Sequence, residues 1–432
     1  MTSPAKQDHR RSIFHDADRK IHIVDLFAGP GGLDVAAHFL GLDTIGIEWD
    51  ANACETRYSA GLPTIHADVR DMRESPSAAL GKVLDDLNDI KVLVGGPPCQ
   101  TFSVAGGGAG RRALDEVEGF IERLVDGEDT EVIDKELANL GDARTALVLE
   151  PLRWIMAAIK AERPYTAIIL EQVPTVLPLW RVYKRVLESG RLPGGVKYQA
   201  QCKTLRTEEY GVPQSRRRAV LIARIEGHGD VTMPETTHLP FVRSADAAPT
   251  LDSALLDDDT QVERKGKKRA WVSMEKALKK TGEELGRTTP YVVVSNYGSG
   301  GDPKNRGRRQ SSEPAFTVTG KVSRNAVESP EGMELPRFTI AESGMLQTFP
   351  KSFPWSGRDR AQQVGNAVPP RFGIHLIAAA LGFDEDRVRS ALDSMEHWPK
   401  IPVAERERLR RLGCADKTKC PDDPPHPPVA EL

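Results

Sequence analysis

The sequence predicts an α/β protein with a doubly wound, mostly parallel sheet and a smaller, loop-rich second domain. From residue 21 onward, short apolar runs alternate with helical segments, and the first run leads into the glycine-rich turn DLFAGPGG (25–32). Continuous apolar strands separated by helices are typical of a parallel sheet with both faces covered. After residue 224 this alternation weakens, and glycine, serine, asparagine and basic residues increase. That change indicates a second domain of different architecture.

The individual elements have local signals. Gly41 follows the helical segment LDVAAHFLG and is typical of a helix end. Pro151 must start or kink the helix predicted over about 144–161. Further helices are predicted near 51–59 and at AALGKVLDDLN (78–88). The predicted strands, in chain order, are IHIVDLF, TIGIEW, KVLVGG, YTAIIL and RAVLIAR.

The same patterns suggest a domain organisation. The apolar pattern resumes after about residue 331 and includes an amphipathic helix over 371–383, so the chain is expected to return to its first domain there. The tail is rich in proline and aspartate and is expected to be disordered. The predicted parts are a polar N-terminal tail (1–20), a main domain (21–224), a second domain (225–330), the return (331–385), and a C-terminal helix with a disordered tail (386–432).

Composition excludes several classes of protein. The five cysteines, at positions 54, 99, 202, 414 and 420 of the 432-residue chain, have no regular spacing. This argues against a disulfide framework or a zinc site and fits a reducing cytosol. No apolar run has the length of a signal peptide or a membrane span. We therefore expect a soluble cytoplasmic protein with no metal and no membrane partner.

Charge is unevenly distributed, although the net charge is only −3. Basic clusters occur at 214–218, 264–269 and 304–309, whereas acidic residues concentrate in 114–142. A single basic run is usually a solvated face. Three of them in the second half of a chain that is acidic elsewhere favour a polyanionic partner.

Acidic residues follow the first strands of the predicted sheet. Glu48 ends the second strand, about 20 residues past the glycine turn, and Asp68 follows the next strand candidate. An acidic residue at such a strand end can bind ribose hydroxyls in doubly wound folds. No lysine stands in a phosphate-binding loop, which disfavours a P-loop nucleotidase. Together with the turn, these carboxylates suit an adenosyl ligand, the alternative being that they only cap helices.

The stretch GGPPCQTFS (95–103) places Cys99 after an apolar strand, behind Pro97 and Pro98. The carboxyl ends of strands are where open α/β folds bind ligands. The two prolines stiffen the turn, which reduces the conformational freedom that a nucleophile must lose. A thiolate suits addition to an electron-poor carbon, and neighbouring positive charge lowers the pKa of a thiol. This setting favours a nucleophile over a structural cysteine.

Four motifs in this order resemble the cytosine-C5 DNA methyltransferases: DLFAGPGG, GGPPCQTFS, QSRRR and QQVGNAVPP. The resemblance covers nearly all of 21–383 except 225–330. It implies methyl transfer from S-adenosyl-L-methionine to C5 of a cytosine flipped out of duplex DNA, with 225–330 as a target-recognition domain. A monomer is expected. A cognate restriction endonuclease remains an open partner.

The resemblance also implies roles for individual residues. Cys99 resembles the nucleophile that adds to C6, and Glu171 the carboxyl group that bonds N3 and the exocyclic amine. Arg216 and Arg218 would contact the flipped base and its phosphate and help stabilise the thiolate. Glu48 would hold the ribose, Trp49 would stack on adenine, and Asp68 would meet the adenine amino group. The remaining cofactor-binding positions implied are Phe27, Ala28, Gly29, Gly31, Pro97, Asn366 and Val368.

The chain departs from the family pattern at three places. Gln172 stands where the family usually has asparagine, so the support of the neighbouring loop is expected to differ. Thr348 stands where glycine is common. The interval after Ser103 is long and acidic, and because phosphate repels acid, we expect 114–141 to point away from DNA.

Three other functions were weighed. One branch of the family methylates tRNA, but this chain lacks the Cys-Phe-Thr signature of that branch. A catalytically inactive DNA-binding relative is disfavoured by the intact Cys99, Glu171, Arg216 and Arg218. An amino-methyltransferase would have Asp/Asn-Pro-Pro-aromatic where this chain has Pro-Pro-Cys.

Overall fold

The computed structural model describes residues 22–72, 90–98, 108–138, 146–242, 268–287, 289–298 and 306–413. Its main element is a seven-stranded sheet of order β3-β2-β1-β4-β5-β7-β6. The first five strands are parallel, and β7 runs antiparallel between β5 and β6. The strands are β1 (His22–Leu26), β2 (Asp43–Glu48), β3 (Thr64–His66), β4 (Ile90–Gly95), β5 (Ala167–Gln172), β6 (Tyr198–Arg206) and β7 (Arg217–Ile225).

Helices cover both faces of this sheet. Alternate residues of β5 show why: Ile168 and Leu170 enter one buried cluster, and Ala167 and Ile169 enter the other. The predicted doubly wound α/β fold is therefore confirmed. The helices that follow β1 to β5 are α1 (Gly32–Phe39), α2 (Ala51–Ser59), α3 (Val69–Met72), α4 (Gly108–Val125), α5 (Thr130–Ala138), α6 (Glu150–Lys160) and α7 (Leu177–Ser189).

The second lobe is an antiparallel sheet of order β11-β10-β8-β9. It packs with α8 and α9 around a core that includes Tyr291, Val318 and Leu346. The sheet extends to Leu335, past the predicted boundary at residue 330, and the domain division itself stays a prediction. The elements are α8 (Met274–Glu284), β8 (Val292–Gly298), β9 (Arg306–Gln310), β10 (Ala326–Glu328), β11 (Glu334–Leu335) and α9 (Ile340–Leu346).

The last part of the chain returns to the main sheet and then covers its β3 edge. Trp398 donates a hydrogen bond from Nε1 to the carbonyl of Ala60 (3.0 Å), and Gly413 lies against the carbonyl of Thr64. Covering an edge strand in this way protects it from pairing with other chains. The helices are α10 (Arg360–Asn366), α11 (Pro370–Leu381), α12 (Glu385–Asp393) and α13 (Val403–Gly413).

Several predicted elements lie where the sequence placed them. Helix α2 matches 51–59, Gly41 follows the end of α1 with φ of 70°, and Pro151 stands in the first turn of α6. The helix predicted at 78–88, the N-terminal tail and the tail after residue 413 lie outside the described residues.

Candidate active site

The strand order reverses direction between β1 and β4, so a crevice opens at their carboxyl ends. The turn after β1 borders this crevice with a left-handed backbone at Phe27 (φ 59°), Gly29 (φ 55°) and Gly31 (φ 99°). A Cβ added to Gly29 would meet nothing within 4 Å, whereas one added to Gly32 would lie 2.1 Å from the carbonyl oxygen of Val368. The turn is therefore open on one side and closely packed on the other.

Glu48 ends β2 beside this turn. Its Oε2 accepts the N–H of Gly29 (2.7 Å), and its Oε1 accepts the N–H of Asp50 (2.7 Å). Burial raises the pKa of Glu48, and these two hydrogen bonds oppose the rise. The adjacent Trp49 is 63% exposed, although it is a large apolar side chain. An exposed indole next to an open turn offers a stacking surface.

Asp68 follows β3 and is occupied by a neighbour. Its carboxylate accepts hydrogen bonds from the main-chain N–H and from the guanidinium of Arg70, with Nη2 at 2.5 Å from Oδ2. A ligand that uses Asp68 must therefore share it with Arg70.

A buried charged cluster beneath the glycine turn was missed by the sequence prediction. Arg57 from α2 donates two hydrogen bonds to Asp34 of α1 (2.7 and 3.0 Å), and both side chains are fully buried. Its guanidinium fills the space that a Cβ at Gly46 would need. The signal was one charged residue within each buried helix face.

Asp25, at the end of β1, completes this cluster. Burial and, next, the negative charge of Asp34 raise the pKa of Asp25 well above its ordinary value, and Arg57 only partly offsets this. Asp25 is thus held as a neutral carboxyl group that can donate a hydrogen bond to Asp34.

Asp25→Asn is expected to remove a pH-dependent loss of stability. Because the folded-state pKa of Asp25 lies above the ordinary value of 3.8, its contribution is complete below that pH and is lost as the pH rises. The slope is about 1.4 kcal/mol per pH unit, up to the folded-state pKa. Urea unfolding between pH 4 and 7 should show the variant gaining on the wild type as pH rises. Asp386→Asn, at a side chain 91% exposed, is the control; a pH-independent difference for Asp25→Asn would contradict the assignment.

Glu171 ends β5, next in the sheet to β4. It is 6% exposed, and its Oε1 lies 2.7 Å from Nε of Arg218. A Cβ added to Gly96 would lie 3.8 Å from Oε2 of Glu171. The carboxylate therefore borders the GGPP turn that leads to Cys99, and Cys99 itself lies outside the described residues.

Gln172, the departure from the family pattern, ties the two strand ends together. Its Nε2 donates to the carbonyl oxygen of Pro97, and its Oε1 accepts the N–H of Val173. The longer side chain thus supports the Pro-Pro turn through the main chain of Pro97.

Arg216 occupies a different place from Arg218. It is 3% exposed and donates to the carbonyls of Val318 (3.1 Å), Gly365 (3.2 Å) and Ala367 (3.3 Å). In this conformation the guanidinium joins the small lobe to the segment before α11. Contact of Arg216 with a flipped base was expected from the sequence, but the side chain is buried between the lobes.

Two glutamines extend this junction. Gln214 donates to Oε1 of Gln347 (2.6 Å) and accepts the N–H of Val318 (2.9 Å). Gln347 in turn donates to the carbonyl of Val364 (2.6 Å). Asn366, on the same segment, is exposed, and its Oδ1 accepts a hydrogen bond from Gln362.

A sequence model of the family described as C-5 cytosine-specific DNA methylase matches residues 21–119 and 140–381. The chain belongs to this family. It is therefore a DNA (cytosine-5-)-methyltransferase, as the resemblance predicted. In the described residues of this methyltransferase, no helix is long and apolar enough to cross a membrane.

Two relatives of the methyltransferase are named Type II methyltransferases. It is 27% identical to M1.HphI of Haemophilus parahaemolyticus over 83% of this chain and 86% of the relative. It is 27% identical to M.AplI of Arthrospira platensis over 90% of each chain. The solved structure of the Dnmt2 methyltransferase of S. pombe is 15% identical, with a TM-score of 0.48 over 84% of this chain and 99% of that one.

Proposed function

We propose that this methyltransferase modifies a cytosine extruded from a specific duplex DNA sequence, with Cys99 forming a covalent bond to C6. The observation that supports this most is the placement of Glu171. A buried carboxylate at the end of β5, held by Arg218, borders the turn that precedes Cys99. A nucleophile and a proton donor are thereby brought to one edge of the sheet, as addition to a cytosine requires.

S-adenosyl-L-methionine, when bound, supplies the methyl group. The crevice at β1 and β4 fits it on three grounds: the open side of Gly29, the exposed indole of Trp49, and the carboxylate of Glu48 at a strand end. Glu48 already accepts the Gly29 N–H, so it would hold the turn and a ribose hydroxyl together. Phe27, Ala28, Gly31, Asp68, Pro97, Asn366 and Val368 remain proposed contacts around this crevice.

The chain's own residues would act on the cytosine as follows. The Cys99 thiolate forms a bond to C6, and electron density moves toward N3, where the Glu171 carboxyl group supplies a proton. Arg218 holds Glu171 in position and provides positive charge near the thiolate. Once C5 has been methylated, loss of the C5 proton breaks the S–C6 bond and frees Cys99.

The proposed substrate requires extrusion, because C5 is hidden in the base stack and unstacking costs a few kcal/mol. Residues 225–330 are proposed to recognise the target sequence. A monomer acting in the cytoplasm is proposed, and a cognate restriction endonuclease as partner, because the relatives carry Type II names.

The test is transfer of a tritiated methyl group to duplex DNA and, separately, to tRNA. Incorporation into DNA alone is expected, and bisulfite sequencing of DNA from an expressing host should give one sequence context. Glu171→Gln should lose most of the incorporation, because a neutral amide cannot supply the N3 proton in the same way. Incorporation into tRNA with none into DNA would overturn the proposed substrate.

A further inference from the structure

An arginine-rich cavity lies at the carboxyl edge of the sheet, on the side away from the β1–β4 crevice. Its volume is about 490 Å³, and it lies between the main sheet and the small lobe. We call it the arginine cavity, after its lining residues Arg206, Arg217, Arg218 and Arg309. Arg206 ends β6, Arg217 begins β7, and Arg309 belongs to β9 of the small lobe.

Two of these arginines are direct neighbours across the sheet. Arg206 and Arg217 are paired in the antiparallel register of β6 and β7. Like charges directly opposite each other destabilise a sheet. The carboxylate that lines the cavity in the described part of the chain is Glu208, whose pKa is raised by burial. Since Glu171 already pairs with Arg218, the lining keeps an excess of positive charge.

Arg309 is held in place by aromatic side chains. Its guanidinium carbon lies 4.5 Å from the ring centre of Phe241 and 5.1 Å from that of Phe316. Glu313 is more distant, with Oε1 at 3.9 Å from Nη1. Arg306 and Gln310, two strand periods apart, are exposed on the other face of β9. The small lobe therefore directs this one arginine of the strand into the cavity.

We propose that the arginine cavity binds a backbone phosphate of the target DNA strand, with Arg206, Arg217 and Arg309 as its ligands. This rests on the proposed function. A phosphodiester supplies the negative charge that the cross-strand pair lacks, and guanidinium groups bind phosphate oxygens with directed hydrogen bonds. Arg218 both lines the cavity and pairs with Glu171, so the phosphate would lie close to the extruded cytosine. Because the ligands come from both lobes, the phosphate would join them.

Such a contact positions the strand without reading its sequence. Loss of one phosphate contact lowers the slope of log affinity against log salt by about 0.9. Arg309→Gln and Arg217→Gln should each show this decrease and weaken binding equally on target and non-target duplexes. Arg309→Lys keeps the charge and should retain most of the slope. Arg389→Gln, on α12 away from the cavity, is the matched control.

The experiment measures the fluorescence anisotropy of labelled duplexes with the full chain, without methyl donor. A series of duplexes carries one uncharged methylphosphonate at successive positions of the target strand. One position near the target cytosine should weaken wild-type binding and have little effect on Arg309→Gln. Equal penalties in both proteins at every position, or an effect of Arg309→Gln on the target sequence alone, would overturn the proposal. Methylation is scored separately, so absence of methyl transfer with an intact methylphosphonate effect would count against the proposed function only.

Discussion

With 5-fluorocytosine at the target position, the wild-type protein is expected to accumulate a covalent adduct with DNA, and Cys99→Ala is expected to form none. Fluorine at C5 cannot leave as a proton does, so the S–C6 bond, once formed, persists. On normal DNA the same variant should lose at least about 10⁴-fold in turnover, as enzymes do when the nucleophile is removed. Denaturing gel electrophoresis of labelled duplex detects the adduct directly.

The control for this result is Cys202→Ala. Burial raises the pKa of the Cys202 thiol, and the same cause, acting more strongly, raises that of Cys54. Thiols of this kind stay protonated near neutral pH and are poor nucleophiles. The Cys202→Ala variant should form the adduct at the wild-type level. An adduct that survives in Cys99→Ala would remove Cys99 from the proposed mechanism.

The sequence predicted the parts of the fold that local patterns determine. The strand–turn–helix unit from β1 to α1 has an apolar strand, a glycine turn and a helix closed by Gly41. Helix α2 begins after Asp50, whose side chain accepts the N–H groups of Asn52 and Ala53. Apolar periodicity and caps are encoded within a few residues, so they can be read without knowledge of the tertiary structure.

The acidic stretch shows where local patterns were only partly used. Helix α4 carries buried Val117, Phe120, Ile121 and Leu124, which have helical spacing and mark an amphipathic helix. Its acidic face pairs with arginines of and just beyond α7: Glu118 with Arg185, and Glu122 and Asp126 with Arg191. These partners lie far away in sequence, so their pairing follows from packing and not from the acidic stretch itself. Its orientation relative to DNA stays a prediction.

The buried polar contacts were beyond sequence prediction for the same reason. Arg57 and Asp34 meet only because α1 and α2 pack on the same side of the glycine turn. Likewise, the QSRRR motif does not distinguish Arg216 from Arg218. Strand β7 begins there, and successive side chains of the motif reach different surroundings.

That difference predicts opposite outcomes for two neighbouring substitutions. Arg216→Ala leaves three main-chain carbonyls without their donor, so the free energy of unfolding should fall by about 3 kcal/mol. Arg218→Ala removes the partner of Glu171 at the edge of the cavity, so turnover should fall about 10²- to 10³-fold, with the unfolding midpoint nearly unchanged. Urea unfolding and methyl-transfer rates on the same preparations separate the two effects. Arg389→Ala is the control for both.

The burial of Arg216 also determines how a contrary result would be interpreted. Desolvation and, next, the charge of Arg218 lower the pKa of Arg216, so its charge is costly where it stands and is retained through its hydrogen bonds. If Arg216→Ala kept wild-type stability and lost only turnover, the guanidinium would have to leave the lobe junction and reach the cytosine during the reaction. If both variants lost stability equally, the Glu171–Arg218 pair would be part of the structural framework, and the proton-donating role of Glu171 would need another positioning group.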